Sequence, residues 1–455
     1  MAPEPASARL SELAAHGVHG AQPPIRPMAP SQRAVRGRAP SGPSCRGTAP
    51  MSREAAQASS TSDSGCNSQS SSGSARSVVP LDQELVTGDA GLQGLEADWR
   101  RLHDLDAGAG VFNGWSANAI WWRHYGTPDC LRVLVLRHRG DVVAIAPFHL
   151  TRSVLLGAER AVTLRFIGRG GDTTPDDLDL IADPAFAESA ACQVCDWLLR
   201  QRESHRWLFE DLPAHSPFAQ ALLSRLGPRV SRDVRHARRV AVLPDRVEAW
   251  RDGLSRNSRK HLTRRRRRAV AAGAVRYRWA SAESLGERDF ASLVSLHRKR
   301  RSALADPDPS SGAFGSAAYV AFHHEFSLAL ARDGALRLAV LELDDRPIGI
   351  EYALRHRSTL VFLQTGFDPV HAGLSPGHLL MCHLIERAIE EGVDRLDLLK
   401  GDYGYKASYA RDTRQSVTLD LVRSARLARL VRLVDATRRR LRSLSASRSR
   451  RRSDR

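Results

Sequence analysis

The segment Leu396–Tyr409, LDLLKGDYGYKASY, concentrates proton-handling groups in fourteen residues. Asp397 lies on a β-rich run, and Lys400, Gly401 and Asp402 follow it. Tyr403, Tyr405, Lys406 and Tyr409 complete the group. Tyrosine hydroxyls and a carboxylate can hold an incoming amine and relay its proton. Lys406 can hold a phosphate or carboxylate as a point charge. Each of these residues alone is as readily structural. The cluster is what suggests chemistry, with Asp397, Tyr405 and Lys406 as catalytic candidates.

A second constellation lies just upstream in GFDPVHAGLSPGHLL, Gly366–Leu380. Gly373, Ser375, Pro376 and Gly377 suit a sharp turn into a helix. Pro376 fits a first helical turn and Ser375 fits its cap. A helix that starts there presents unpaired N–H groups and a positive dipole end, which suits a pyrophosphate. Gly373, Ser375, Gly377 and His378 are therefore the candidate residues for a phosphate-bearing donor. A plain strand-to-helix loop is the alternative.

The third feature is the basic run SRNSRKHLTRRRRR, Ser255–Arg268. At helical spacing Arg256, Lys260, Arg264 and Arg267 share one stripe. That stripe could neutralise donor phosphates or a tRNA backbone, and Arg256 and Lys260 are its donor-binding candidates. A solvated basic helix is the other reading. His297, beside Arg298 and Arg301, is a candidate cleft residue or a satisfied helix histidine. Cys192 and Cys195 form a CxxC inside an apparent helix with no second pair, so they read as ordinary helix positions, and no metal site is expected. His215, in LPAHSP, reads as a loop residue.

Alternating and helical periodicities then indicate what must position these groups. Helix-like spacing covers Leu85–Leu105, and an aromatic cluster (Phe112, Trp115, Trp121, Trp122) marks a second short helix. Leu131–Leu136 and Val142–Leu150 read as a hairpin, followed by strands at Val162–Ile167 and Leu178–Ile181. A helix at Ala185–Arg200, a strand at Trp207–Leu212 and a helix at Pro217–Leu226 complete the first half. The second half has helices at Val247–Leu254 and Ser258–Ala272, a strand at Val275–Trp279, and helices at Leu285–Ala303 and Ala317–Asp333. The hairpin Leu336–Leu343/Pro347–Arg355, the strand Thr359–Thr365, the helix Gly377–Gly392 and the strand Arg395–Leu399 follow. The order hairpin, strand, helix, strand thus occurs twice, over 131–212 and 336–400, as a duplication of pattern rather than of residues.

Composition bounds the remaining possibilities. The chain has 455 residues, enough for two or three domains, and 42% of them are hydrophobic. The formal net charge is +18, but thirteen Arg against two Asp place +11 of it in Leu421–Arg455. That tail has no aromatic residue and does not resemble a DNA-binding face. It reads as a basic amphipathic helix with a Ser/Arg end, suited to an anionic membrane surface, to RNA, or to solvent. Residues 1–78, rich in Ala, Pro, Ser, Gly and Arg, read as disordered. No apolar run reaches the roughly 18 residues of a membrane span, and no secretory signal is seen. Six Cys do not make a disulfide framework. The expected location is the cytoplasm, with the inner membrane face as a peripheral option.

The later half resembles the GNAT acetyltransferase domain of CelD-type cellulose-biosynthesis acyltransferases, which are related to the FemAB peptidyltransferases. The residues that carry the resemblance are Leu254–Lys260 (LSRNSRK), His297–Arg300 (HRKR), Gly366–Pro369 (GFDP), Ser375–Gly377 (SPG) and Asp397–Asp402 (DLLKGD), with Tyr405 and Lys406. Trp99, Phe112, Trp115 and Ala146–Pro147 match the family's opening, so the likeness spans roughly residues 85–420. It implies an α/β (α+β) fold of tandem GNAT-like, FemAB-like mixed sheets flanked by helices. The first half would cover 79–240 and the second 241–420, with tails at 1–78 and 421–455. It further implies a bacterial acyltransferase that moves an acyl group from acyl-CoA, a cosubstrate rather than a resident cofactor. The acceptor would be an amine or hydroxyl on an envelope or exopolysaccharide component, a small molecule or saccharide. The loop Ala372–His378 keeps only part of the family's Gly-rich phosphate pattern. An aminoacyl-tRNA donor, as in the FemAB branch, and an inactive binding protein therefore stay open as alternatives.

Overall fold

The computed structural model describes residues 79–155, 159–304, 313–401, 404–426, 428–429 and 432–433. The N-terminal segment 1–78, nearly all of the basic tail, and Asp402 with Tyr403 lie outside the described residues. The strands are β1 (Asp82–Val86), β2 (Leu131–His138), β3 (Asp141–Leu155), β4 (Glu159–Phe166), β5 (Ile181–Ala182), β6 (Arg206–Pro213), β7 (Val230–Val242), β8 (Val275–Trp279), β9 (Leu336–Leu343), β10 (Arg346–His356), β11 (Thr359–Phe367), β12 (Arg395–Lys400) and β13 (Asp412–Val422). The helices are α1 (Asp89–Gln93), α2 (Glu96–Leu105), α3 (Trp115–Tyr125), α4 (Ala187–Arg200), α5 (Pro217–Leu226), α6 (Val247–Gly253), α7 (Arg256–Ala272), α8 (Ala282–Ser284), α9 (Phe290–Leu304), α10 (Ala317–Arg332) and α11 (Pro376–Glu390). Among the described residues no helix is long and apolar enough to cross a membrane.

All strands belong to one mixed sheet with the order β1-β2-β3-β4-β6-β13-β7-β12-β11-β10-β9-β8, and β5 pairs with β3 off that path. The order is the same read inward from either edge: a first strand, a hairpin, a strand, its parallel neighbour, and a closing strand. The closing strands are exchanged. β7 follows β6 in the chain but pairs with β12, whereas β13 follows β12 but pairs with β6. The two then pair with each other over ten registered positions, Asp412↔Val240 to Leu421↔Val230. The seam between halves is therefore backbone hydrogen bonding, and each half is completed by the other's strand.

Neither closing strand was anticipated from sequence. β7 reads VSRDVRHARRVAV, and arginines interrupt any period-2 apolar alternation. It sits mid-sheet because its charges find partners there, Arg238 most deeply. The helix expected over Leu85–Leu105 is divided into β1, α1 and α2. The strand expected at Leu178–Ile181 is confined to Ile181–Ala182. Beyond β13, Ala428 is buried and Arg432 donates to the Val230 carbonyl, so the chain following the sheet packs back on β7.

Alternation along the second-half strands separates two cores. Leu338, Val340, Ile350 and Val361 pack with Leu293 and Leu296 of α9 and Phe322 and Phe326 of α10, in a core continuous with the first half. Ala339, Leu341, Leu360 and Phe362 pack instead with Leu380, Leu384 and Ile385 of α11 and with Leu262 and Ala269 of α7. α9 and α10 thus cover one face of the sheet, and α7 and α11 cover the other.

Candidate active site

The site begins where two parallel strands part. β11 pairs with β12 only at Thr359–Val361 against Arg395–Asp397. Two residues later β11 carries a bulge: Tyr352 faces Gln364 and Ala353 faces Phe362, which leaves Leu363 as the extra residue. A bulge bends its strand and re-aims the side chains beyond it, and from there β11 and β12 diverge. In the first half β4 and β6 also pair briefly, at Thr163–Leu164, but β4 runs against β3 without a bulge. There Phe166, Phe209 and Phe218 pack with Phe148, ring centroids 5.0–6.4 Å apart. The first half's opening is filled.

The second half's opening leads into a cavity of about 770 Å³ between the two halves. Phe362 and Gln364 of β11 and Leu398 and Lys400 of β12 line it, and Leu398 and Phe362 belong to the core on the α11 side. The cavity therefore opens onto the edges of β11 and β12 where the two strands diverge. The first half contributes Trp121 and the loop Thr173–Asp176; α9 and α10 contribute His297, Arg300, Arg301, Tyr319 and His323.

The end of β12 is held in an unusual backbone path. Leu399 has φ 56° and Gly401 φ 97°, so successive carbonyls turn to one side. Lys406 Nζ, buried, donates to three of them, Leu398 O at 2.7 Å, Leu399 O at 3.2 Å and Lys400 O at 2.7 Å. Lys400 is tied to the first half: its N–H donates to Asp176 Oδ2 at 2.7 Å and its ammonium to Asp211 Oδ2 at 2.6 Å. Asp176 is 3% exposed, lines the cavity, and its Oδ1 has no hydrogen-bond partner. Burial raises its pKa against the pull of Lys400.

His297 sits where α9 touches β11. Gly366 allows this approach, since a Cβ there would lie 2.5 Å from the backbone nitrogen of His297. Nδ1 of His297 is 3.0 Å from the Thr365 carbonyl, and a carbonyl only accepts, so Nδ1 carries the hydrogen. Nε2 is left as a buried acceptor with no partner, on a residue that lines the cavity. Burial, with Arg300 and Arg301 nearby, pushes the imidazole down to about 4, so it is neutral at pH 7. Tyr405 lines the cavity as well and is 44% exposed. Asp397 is elsewhere: it is buried at the seam, accepts from the Leu399 N–H at 2.9 Å and lies 3.5 Å from Arg238. Burial raises its pKa, and Arg238 opposes that.

The donor-loop candidates lie on the other face, at the start of α11. Ser375 makes the turn in left-handed conformation, φ 60° and ψ 55°, and its side chain caps nothing. An N-cap hydroxyl normally serves the next turn from extended backbone, which this residue does not have. Gly373 and Gly377 do not need their missing side chains: a Cβ at Gly373 meets nothing within 4 Å, and one at Gly377 makes only ordinary contacts. His378 Nδ1 meets the Tyr409 hydroxyl. Arg256 and Lys260 are exposed, on the stripe of α7 opposite its buried Leu262 and Ala269. Sequence reasoning missed Asp176, Arg235, Tyr319 and His323. The one local signal was RGGDTTPDD at Arg169–Asp177, where Gly170 and Gly171 have φ 144° and 58° and six polar side chains share a tight loop. Among the described residues no group of His, Cys, Asp and Glu could hold a metal ion.

Residues 256–407 match the family model described as acetyltransferase (GNAT) domain. That segment contains the divergent strands, α9 and the α11 loop. No curated protein matches the chain. Among solved structures, the crystal structure of FemX is similar, with a TM-score of 0.52 at 12% identity, covering 77% of this chain and 100% of that one. The fold is FemX-like over both halves. L-PGS from Bacillus licheniformis is similar at a TM-score of 0.43 and 10% identity, over 76% of this chain and 95% of that chain. A tandem GNAT protein from the clavulanic acid biosynthesis pathway has a TM-score of 0.35 at 12% identity, over 76% and 99%.

Proposed function

We propose that this protein is a GNAT-type N-acyltransferase that takes its acyl group from acyl-CoA, acetyl-CoA being the simplest. The observation that carries the reading is the parting of β11 and β12 beyond Val361, with a bulge at Leu363 and a cavity that opens between the diverging strands. A pantetheine arm can lie along the unpaired edge of β11 with its thioester between the strands. The phosphates then fall near the start of α11, where the helix dipole favours an anion, although Pro376 has no N–H and those of His378 and Leu379 donate to the Ser375 carbonyl. Gly373, Ser375, Gly377 and His378 would form that end, and Arg256 and Lys260 add positive charge at longer range.

The acceptor enters from the cavity. Its nucleophile attacks the thioester carbonyl, a C–N bond forms with an amine or a C–O bond with a hydroxyl, the C–S bond breaks, and the CoA thiolate takes up a proton. His297 Nε2, fixed as an acceptor by the Nδ1–Thr365 bond, receives the proton shed by the nucleophile. Tyr405 at the cavity wall is the donor proposed for the thiolate. Lys406 acts as a positioning residue by fixing the carbonyls of Leu398, Leu399 and Lys400, and Asp397 does so by anchoring β12 to Arg238. The proposed acceptor is an amine, or a hydroxyl, of an envelope or exopolysaccharide component, and the proposed location is cytoplasmic. Support for both comes from the family resemblance of Leu254–Lys260 and Asp397–Lys406.

Calorimetric titration with acetyl-CoA tests the donor directly, with Phe362→Trp as the partner experiment. The expected outcome is micromolar to millimolar binding by the natural chain and loss of it when the indole fills the gap between strands. Absence of binding by the natural chain sinks the proposal.

A further inference from the structure

Of the stripe of α7 that sequence periodicity singled out, only Arg264 borders the flank that meets the donor loop. At 100° per residue, Leu262, Arg266 and Ala269 face α11. Arg266 lies to one side and donates to Glu386 Oε2 at 2.6 Å, farther along α11. The opposite flank carries His261, Arg265 and Arg268. Arg268 Nη1 donates to the Gly373 carbonyl at 2.9 Å, which pins α7 to the loop that precedes α11. Arg264, one step farther around, lies 3.0 Å from His261 Nδ1 through Nη2. Arg265, Arg266 and His261 are close enough to His378, in the first turn of α11, to help hold its imidazole down near 4 behind the larger effect of burial. Arg265, Arg268 and His261 thus lie beside a helix start, with Arg264 against His261, and α7 has no acidic residue along its length. A pyrophosphate at the α11 N-terminus would already satisfy that dipole. The flank lies next to it and outward, over a loop whose Gly373 leaves open space.

We propose that His261, Arg264, Arg265 and Arg268 form a second anion site that grips the outer phosphate of the donor's nucleotide, the 3′-phosphate of CoA. This rests on the acyl-CoA reading above and adds a helix that precedes β8 to the donor site. Guanidinium–phosphate contacts are charge-assisted and often bidentate, so the outer phosphate adds roughly tenfold to a hundredfold in affinity.

The test is calorimetric titration of the full chain with CoA, dephospho-CoA and pantetheine. Arg264→Ala/Arg265→Ala leaves the Arg268–Gly373 bond in place, and Arg202→Ala, at an exposed position between α4 and β6 in the first half, serves as the control. The expected result is that the natural chain prefers CoA over dephospho-CoA by the stated factor. The double variant should lose that preference while binding dephospho-CoA and pantetheine unchanged. Equal affinity of the natural chain for CoA and dephospho-CoA overturns the inference but leaves the donor reading intact. So does a double variant that retains the preference, or one whose only loss is in salt-sensitive binding of bulk tRNA. Failure of CoA and pantetheine alike to bind overturns both.

Discussion

His323 offers the sharpest physical prediction, because it is buried, neutral and unpaired. It lies on α10 at the cavity wall, enclosed by Phe314, Tyr319, Phe322 and Tyr352 at ring-centroid distances of 4.2–5.8 Å. Its Nδ1 has no partner. Burial pushes its pKa down to about 3, and Asp172 opposes this weakly. In the unfolded chain the ring titrates near 6.5. The unfolded state therefore takes up the proton first as pH falls. The stability owed to keeping this ring neutral is complete above about 6.5 and is lost by about 1.4 kcal/mol per pH unit below it, down to the folded pKa. Between pH 7.5 and pH 5 that amounts to about 2 kcal/mol for this single residue. Buried carboxyls such as Glu351, held neutral far above the usual range, titrate with the opposite sign, so the pH profile of the natural chain alone does not isolate the histidine. The difference between His323→Phe and the natural chain does. Urea unfolding followed by tryptophan fluorescence at pH 7.5 and pH 5 should show the variant gaining about 2 kcal/mol relative to the natural chain at the lower pH. A pH-independent difference, or one of opposite sign, refutes the reasoning.

Two other substitutions probe the site's supports. Gly366→Ala places a Cβ 2.5 Å from His297 N and 2.9 Å from the Leu296 carbonyl carbon, both backbone atoms; it should cost at least about 1–3 kcal/mol in urea unfolding and impair transfer, and a neutral effect would mean that α9 does not press on β11. Arg238→Met strips the counter-charge from Asp177, 2.5 Å away, and from Asp397; leaving those carboxylates buried should cost about 3–5 kcal/mol at pH 7 and less at pH 4, where they protonate, and a cost that grows on acidification would contradict this.

The hairpins and the β11–α11–β12 unit could be read from sequence because their apolar residues keep clean periods and each hairpin turns at a charged tip. β7 and β13 could not. Their faces mix arginine and apolar residues, and what places them mid-sheet is pairing with a strand about 180 positions away, as in Asp412↔Val240. The same limit governs the site. Tyr405 and Lys406 were visible as residue types in a dense motif and His297 as a separate cleft candidate beside Arg298 and Arg301, and all three line the cavity. That the Lys406 ammonium is committed to three carbonyls depends on the left-handed turn at Leu399, which no local pattern announces. Asp176 and Asp211 reach Lys400 from more than 180 residues away. On α7 the outward stripe was the visible one because it is the most basic by simple spacing. The flank that faces the donor loop is defined by which side packs, and Leu262 and Ala269 decide that.

The central claim is that the donor lies along the free edge of β11. Backbone hydrogen exchange, measured with and without acetyl-CoA, tests it most directly. Slowed exchange over Phe362–Phe367 and the first turn of α11, with no change over the equivalent Leu164–Phe166 of β4, is the predicted result. Unchanged exchange in β11, or protection confined to the first half, would contradict the account.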